Sequence, residues 1–138
     1  MMNEYQRLDP RIQKWIYQQG WTDLRELQKK AVPSILTGDR DVLISAATAA
    51  GKTEAFFLPA CSAIADIQGG FGILYISPLK ALINDQYRRL ESLGNALEMP
   101  VTPWHGDVAQ SKKLKAKKNP AGILLITPES LEAMLIRN

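Results

Sequence analysis

Histidine and cysteine are almost missing from this 138-residue chain, which has one of each. Cys61 alone builds no disulfide framework and no thiolate metal site. It falls in an apolar helical pattern and reads as a packed residue rather than a nucleophile. His105 has no second histidine, and no cysteine at ligand spacing, with which to share an ion. It reads as a polar loop residue beside Trp104. No apolar run is long enough to cross a bilayer. The start, Met1-Met2-Asn3-Glu4-Tyr5, lacks the basic and then apolar pattern of a signal peptide. The expectation is a cytoplasmic protein with no membrane partner. Charge excess is small: a formal net charge of +3 and a pI near 9.1 permit a polyanion partner without demanding one. There is no internal repeat, linker or low-complexity segment. The length and the 46% hydrophobic content fit one globular domain with a real core.

What is present concentrates between Asp41 and Leu58. The apolar segment Asp41-Val42-Leu43-Ile44-Ser45 leads into Ala46, Ala47, Thr48, Ala49, Ala50, Gly51, Lys52 and Thr53, and then into the helical pattern Glu54-Ala55-Phe56-Phe57-Leu58. A strand, a small-residue loop and a helix form the setting of a phosphate-binding P-loop. Such a loop turns its backbone N–H groups around an anion, and the helix points its positive end at the same place. Lys52 would reach the terminal phosphates, and the Thr53 hydroxyl would hold a magnesium ion bridging them. The expected cofactors are ATP and Mg2+. Two positions depart from the usual pattern. Ala46 stands where the first glycine is usual, and Ala49 where many such loops carry another, so Ala49 must avoid positive φ or accept strain. The plain alternative is a small-residue helix start with an incidental Gly-Lys-Thr.

The order of elements follows from punctuation and periodicity. Asp9-Pro10 is a helix start, with Ile12, Trp15 and Ile16 at helical spacing and Gly20 as the stop. A second helix is expected over 24–36, followed by Gly38, with Pro33 as a possible kink. A strand over 41–45 and a helix over 52–67 flank the loop, and Gly69-Gly70 ends that helix. The runs 72–77 and 122–127 are nearly continuous apolar strands, covered on both faces. Residues 79–93 read as a helix ended by Gly94, 101–104 as a short strand, 110–118 as a charged helix, and 129–136 as a last helix. Alternating strands and helices imply an α/β fold, a mostly parallel sheet with helices on both faces. Ligands then bind beyond the carboxyl ends of the strands. Four such ends carry suggestive residues: the P-loop, Ser77-Pro78-Leu79-Lys80, Trp104-His105-Gly106-Asp107 and Thr127-Pro128-Glu129-Ser130. Connectivity puts all four on one edge.

In this order and spacing the chain resembles the first RecA-like domain of a superfamily-two helicase of the DEAD/DEAH-box type. Pro78-Leu79-Lys80-Ala81-Leu82 with Asn84-Asp85-Gln86 resembles motif Ia. His105-Gly106-Asp107 resembles the glycine motif, and Thr127-Pro128-Glu129-Ser130-Leu131 resembles motif Ib. Gly20-Trp21 with Leu24 and Gln28 is similar to the Q motif. The flavour is that of the large-helicase-related group. The resemblance implies a partial RecA-like P-loop domain, with N-terminal helices and the Q motif over 1–38 and a truncated ATP-binding domain over 39–138, in a single structural unit. It implies adenine recognition by Gln28, whose amide offers a donor and an acceptor, and Tyr5 is the candidate stacking aromatic. It implies DNA or RNA as partner, with nucleic-acid phosphates near Pro78, Lys80, Gly106 and Thr127. The plain reading of Thr127-Pro128 is a helix cap with proline at the first position. Lys112, Lys113, Lys115, Lys117 and Lys118 read as a solvated face, with a supporting electrostatic role near nucleic acid as the alternative.

The resemblance also marks what the 138 residues do not contain. Nothing matches the Asp-Glu-x-His/Asp motif, whose acids position magnesium and the attacking water. The motif coupling hydrolysis to unwinding, and a second RecA-like domain with its arginines, are also absent. The chain therefore reads as a truncated piece of a helicase. The parent is an ATP-dependent enzyme, and the fragment is expected not to turn over ATP. Val42, Leu43 and Ile44 would have unpaired strand edges, which invite strand swapping or dimerisation. Two other classes remain open. A different P-loop enzyme, such as a small-molecule kinase, explains the loop but not the later motifs. A non-catalytic nucleic-acid-binding module fits the fragment alone.

Overall fold

The computed structural model describes residues 3–45 and 52–137. Residues 46–51, most of the expected phosphate loop, lie outside the described residues. The chain divides into two compact units, Met1–Asp66 and Ile67–Asn138. Contacts thin out between Asp66 and Ile67, not at the boundary expected after residue 38. The reason is that the helix after the phosphate loop packs against the second N-terminal helix.

The first unit is helical. A short 3-10 turn over Tyr5–Arg7 precedes α1 (Pro10–Gln18), α2 (Glu26–Thr37) and α3 (Lys52–Ile64). The Asp9 carboxylate accepts the Arg11 N–H at 2.8 Å, and Pro10 occupies the first helical position, as the sequence implies. The Arg11 guanidinium beside Asp9 holds its carboxyl below the usual range. The Asp9 N–H donates to Ser62 Oγ at 2.7 Å and ties α1 to α3. Gly20 and Gly38 both take positive φ just past their helices, the conformation that glycine adopts most cheaply. Ile12, Ile16, Val32, Ala55, Phe57, Leu58 and Cys61 are buried in this unit. Burial pushes the Cys61 thiol up to about 12, so it stays protonated and inert.

The expected strand over 41–45 does not form. No described strand pairs with it, and a lone extended segment has no ladder to stabilise it. Leu43 is 95% exposed there.

The second unit alternates strand and helix: β1 (Gly70–Ile76), α4 (Lys80–Ala96), β2 (Val101–Trp104), α5 (Gln110–Lys118), β3 (Ala121–Ile126) and α6 (Pro128–Arg137). Both strand pairs are parallel, in the order β1-β3-β2. Central β3 buries Ile123, Leu124, Leu125 and Ile126, as a strand covered on both faces must. Leu124 and Ile126 cluster with Trp104, Ala116 of α5, and Leu131 and Met134 of α6. Strand alternation turns Ile123 and Leu125 to the other face. There α4 packs on β2 and β3. Strand β1 departs from the expectation of two covered faces: Leu74 is 49% and Ile76 48% exposed, because among the described residues no helix packs closely over that face of β1. Gly94 does not end its helix. A Cβ there would lie 2.7 Å from the Met99 carbonyl oxygen, so the glycine admits the returning chain while α4 runs on to Ala96.

Candidate nucleic-acid interface and nucleotide site

The parallel register aligns three strand ends in the second unit. Ile76 and Trp104 both lie opposite Ile126. The Ser77 N–H donates to the Ile126 carbonyl at 3.1 Å, and the Thr127 N–H donates to the Trp104 carbonyl at 3.3 Å. The segments Ser77-Pro78-Leu79-Lys80, His105-Gly106-Asp107 and Thr127-Pro128 therefore leave one edge side by side, with Thr127 in the middle. Three of the four expected strand ends meet. The fourth is the phosphate loop, outside the described residues.

Lys80 opens α4, whose first turn contains no acidic residue and whose N-cap, Leu79, offers no side-chain acceptor. A cation at a helix N-terminus opposes the helix dipole and gains nothing locally. Its counter-charge has to come from outside the helix's own first turn. The Lys80 ammonium lies 3.4 Å from an Asp107 oxygen. Gly106 is exposed, and a Cβ on it would lie 3.4 Å from the Lys80 nitrogen, so the ammonium stands over the glycine. Pro78 is exposed beside them.

The Thr127 side chain acts as the cap that the plain reading gives it. Its Oγ1 accepts the Ser130 N–H at 3.4 Å and donates to Ser130 Oγ at 2.9 Å, and the residue is 4% exposed. The hydroxyl is thus engaged within the first turn of α6.

His105 is not a solvated loop residue, because it is 3% exposed. The Asp107 N–H donates to Nδ1 at 3.2 Å, which leaves Nε2 to carry the hydrogen and donate it to Asn84 Oδ1 at 2.9 Å. The ring pins the glycine loop to α4 one turn beyond Lys80. Its sequence signals were its place directly after a strand and its position in the segment that resembles the glycine motif. Burial lowers the His105 pKa from 6.5; nearby Asp107 opposes this, and Lys80 and Lys113 add to it. The folded state thus takes up a proton less readily than the unfolded one, so stability falls as pH drops below 6.5. Urea midpoints at about pH 7.5 and about pH 5.5 are expected to separate more for wild type than for His105→Gln, which retains a donor and an acceptor without titrating there. Equal separations would remove His105 as the cause.

Two α5 lysines lie over Trp104, the last residue of β2. Lys113 and Lys117 place their ammonium groups 5.8 and 5.9 Å from the Trp104 ring centroid. Lys112, Lys115 and Lys118 are exposed.

In the first unit, Lys52 and Thr53 begin α3, again a cation in the first turn, here with Glu54 beside it. The expected N–H donors and contacts of Ala46, Ala47, Thr48, Ala49, Ala50 and Gly51 lie outside the described residues. Gln28 is buried, and its Oε1 accepts the Arg25 N–H at 2.9 Å. This closes the N-terminal side of α2. Arg25 has no side-chain acceptor with which to reciprocate. The Tyr5 hydroxyl donates to the Gln13 carbonyl at 2.9 Å, and Tyr5 shares a shallow pocket with Ile16, Tyr17 and Trp21. Among the described residues no three His, Cys, Asp or Glu converge as a metal cluster. No helix among them is long and apolar enough to cross a membrane.

The profile of the DEAD/DEAH box helicases matches residues 25–138. The ATP-dependent helicase Lhr-Core of Methanothermobacter thermautotrophicus is 32% identical over 146 residues, which cover 94% of this chain and 17% of that protein. The chain thus spans a small part of the relatives it matches. Among solved structures, the DEAD-box helicase Mss116 bound to ssRNA and UDP-BeF superposes with a TM-score of 0.84 at 25% identity, over 93% of this chain and 27% of that one. The DUF1998 helicase MrfA bound to DNA and AMPPNP superposes with a TM-score of 0.70 at 27% identity, over 88% of this chain and 17% of that one. The aligned parallel sheet, the strand-end residues and these likenesses agree: the chain belongs to the DEAD/DEAH box helicase family and has a partial RecA-like α/β fold.

Proposed function

We propose that this chain is the ATP-binding and nucleic-acid-binding N-terminal portion of the first RecA-like domain of an ATP-dependent helicase. The observation that carries the nucleic-acid part is the alignment of three strand ends, which brings Lys80, Gly106 and the first turn of α6 to one edge. Backbone N–H groups at two helix starts, one ammonium and one exposed glycine suit a row of phosphates. They carry no base-edge readout, so binding is to the backbone of DNA or RNA, the two polymers in the related structures.

For ATP, Lys52 would meet the terminal phosphates, and the loop from Ala46 to Gly51 would surround them. Gln28 keeps an amide nitrogen and a second carbonyl lone pair beyond its Arg25 bond, which suits an adenine edge. The Thr53 hydroxyl is a hard oxygen donor, the kind Mg2+ takes, and the nucleotide phosphates would supply further oxygen ligands. Mg2+ would neutralise charge on those phosphates. We propose that the 138 residues alone bind ATP without turning it over, in the cytoplasm.

The test is anisotropy of a labelled single-stranded oligonucleotide across a salt series. Lys80→Ala is expected to weaken binding about fivefold for every sequence and to lower the salt slope by about one. A loss confined to some sequences, or no loss, contradicts the phosphate edge.

A further inference from the structure

We propose that Asp107 is a resident counter-anion for Lys80, which an incoming phosphate must displace. The inference rests on the nucleic-acid reading above and adds the residue that sets its affinity. Three observations point to it. The Lys80 ammonium is 3.4 Å from Asp107 Oδ1, across 27 positions of sequence. The same ammonium would lie 3.4 Å from a Cβ on Gly106, so the ion pair sits where a phosphate approaches that glycine. The Asp107 backbone is also held in place: its N–H donates to His105 Nδ1 at 3.2 Å, and His105 Nε2 donates to Asn84 Oδ1 at 2.9 Å. Asn84 lies one turn from Lys80 on α4, so lysine, carboxylate, imidazole and amide join into one ring.

The carboxylate has two opposed effects. It restrains the lysine, which would favour binding, and it competes with phosphate for the ammonium while repelling it, which would oppose binding. Exposure decides between them. The Lys80 and Asp107 side chains are 51% and 75% exposed, so the pair is loose and restrains little. Competition and like-charge repulsion survive that exposure at low salt. Asp107 therefore lowers affinity for any polyanion, and a single small anion gains less from the site than a strand whose neighbouring phosphates reach the α6 turn as well.

The experiment titrates a labelled single-stranded oligonucleotide at low salt into wild type, Asp107→Asn, Lys80→Ala and the double variant of the full chain. Glu91→Gln, exposed three turns along α4, controls for net charge. Asp107→Asn is expected to bind about threefold tighter than wild type and tighter than Glu91→Gln. The double variant is expected to gain clearly less over Lys80→Ala than Asp107→Asn gains over wild type, because repulsion remains but competition for the ammonium does not. A Lys80 dependence without a gain from Asp107→Asn overturns the counter-anion alone. A gain of the same size without Lys80 also overturns it, because the effect is then general charge. Equal binding by wild type and Lys80→Ala overturns the phosphate edge itself.

Discussion

Gly122→Ala is expected to cost about 3–5 kcal/mol, a large part of the stability of a small domain. Gly122 has φ +72° at the start of β3. A Cβ there would stand 2.1 Å from the Pro100 carbonyl oxygen and 3.0 Å from Met99 Cγ. The oxygen belongs to the backbone and cannot turn aside as a side chain would. It also accepts the Ile123 N–H at 2.9 Å, the bond that sets β3 beside the chain entering β2. Relieving the clash breaks that bond and disturbs the central strand, whose four buried residues join both helical layers. Gly20→Ala is the control. Gly20 has a similar φ of +79° but nothing within 4 Å of its Cβ position, so only the conformational cost of about 1–2 kcal/mol applies. Urea unfolding of both variants measures the difference. Equal losses would show that close approach to Pro100 does not explain the glycine.

Lys52→Ala is expected to weaken MgATP binding at least about tenfold, the scale of a charge-assisted hydrogen bond to phosphate. The fold should not suffer. Lys52 is the first residue of α3, where a cation opposes the helix dipole, and alanine is the better helix former. A loss of binding with an unchanged melting temperature would then report on the phosphate contact alone. Calorimetry with MgATP makes the measurement. Equal affinities would leave Gly51-Lys52-Thr53 as an ordinary helix start.

Much of this was legible in the sequence. The runs ending at Ile76 and Ile126 were readable as strands because parallel strands in an α/β fold are apolar throughout. Their turn residues then identified the edge that collects Lys80, Gly106 and Thr127. Three features escaped because they depend on packing partners that local pattern does not reveal. The segment 41–45 has strand composition but no described neighbour, and composition cannot supply one. Gly94 has the look of a helix stop, yet it is glycine because the Met99 backbone returns against it. The His105 network was hidden for a similar reason. Asn84 lies 21 positions away, and only the packing of α4 on β2 joins them. The capping role of Thr127 was legible from Thr127-Pro128, and the structure shows that cap.

The central claim is that nucleic acid lies across the carboxyl edge of the β1-β3-β2 sheet. Amide chemical shifts, recorded by nitrogen-proton correlation during titration with a single-stranded oligonucleotide, test it residue by residue. The account predicts the largest changes at Lys80, Ala81, Gly106, Asp107 and Glu129, shrinking as salt rises. Changes confined to α1 and α2, with the amides at these three strand ends unmoved at saturation, would contradict it.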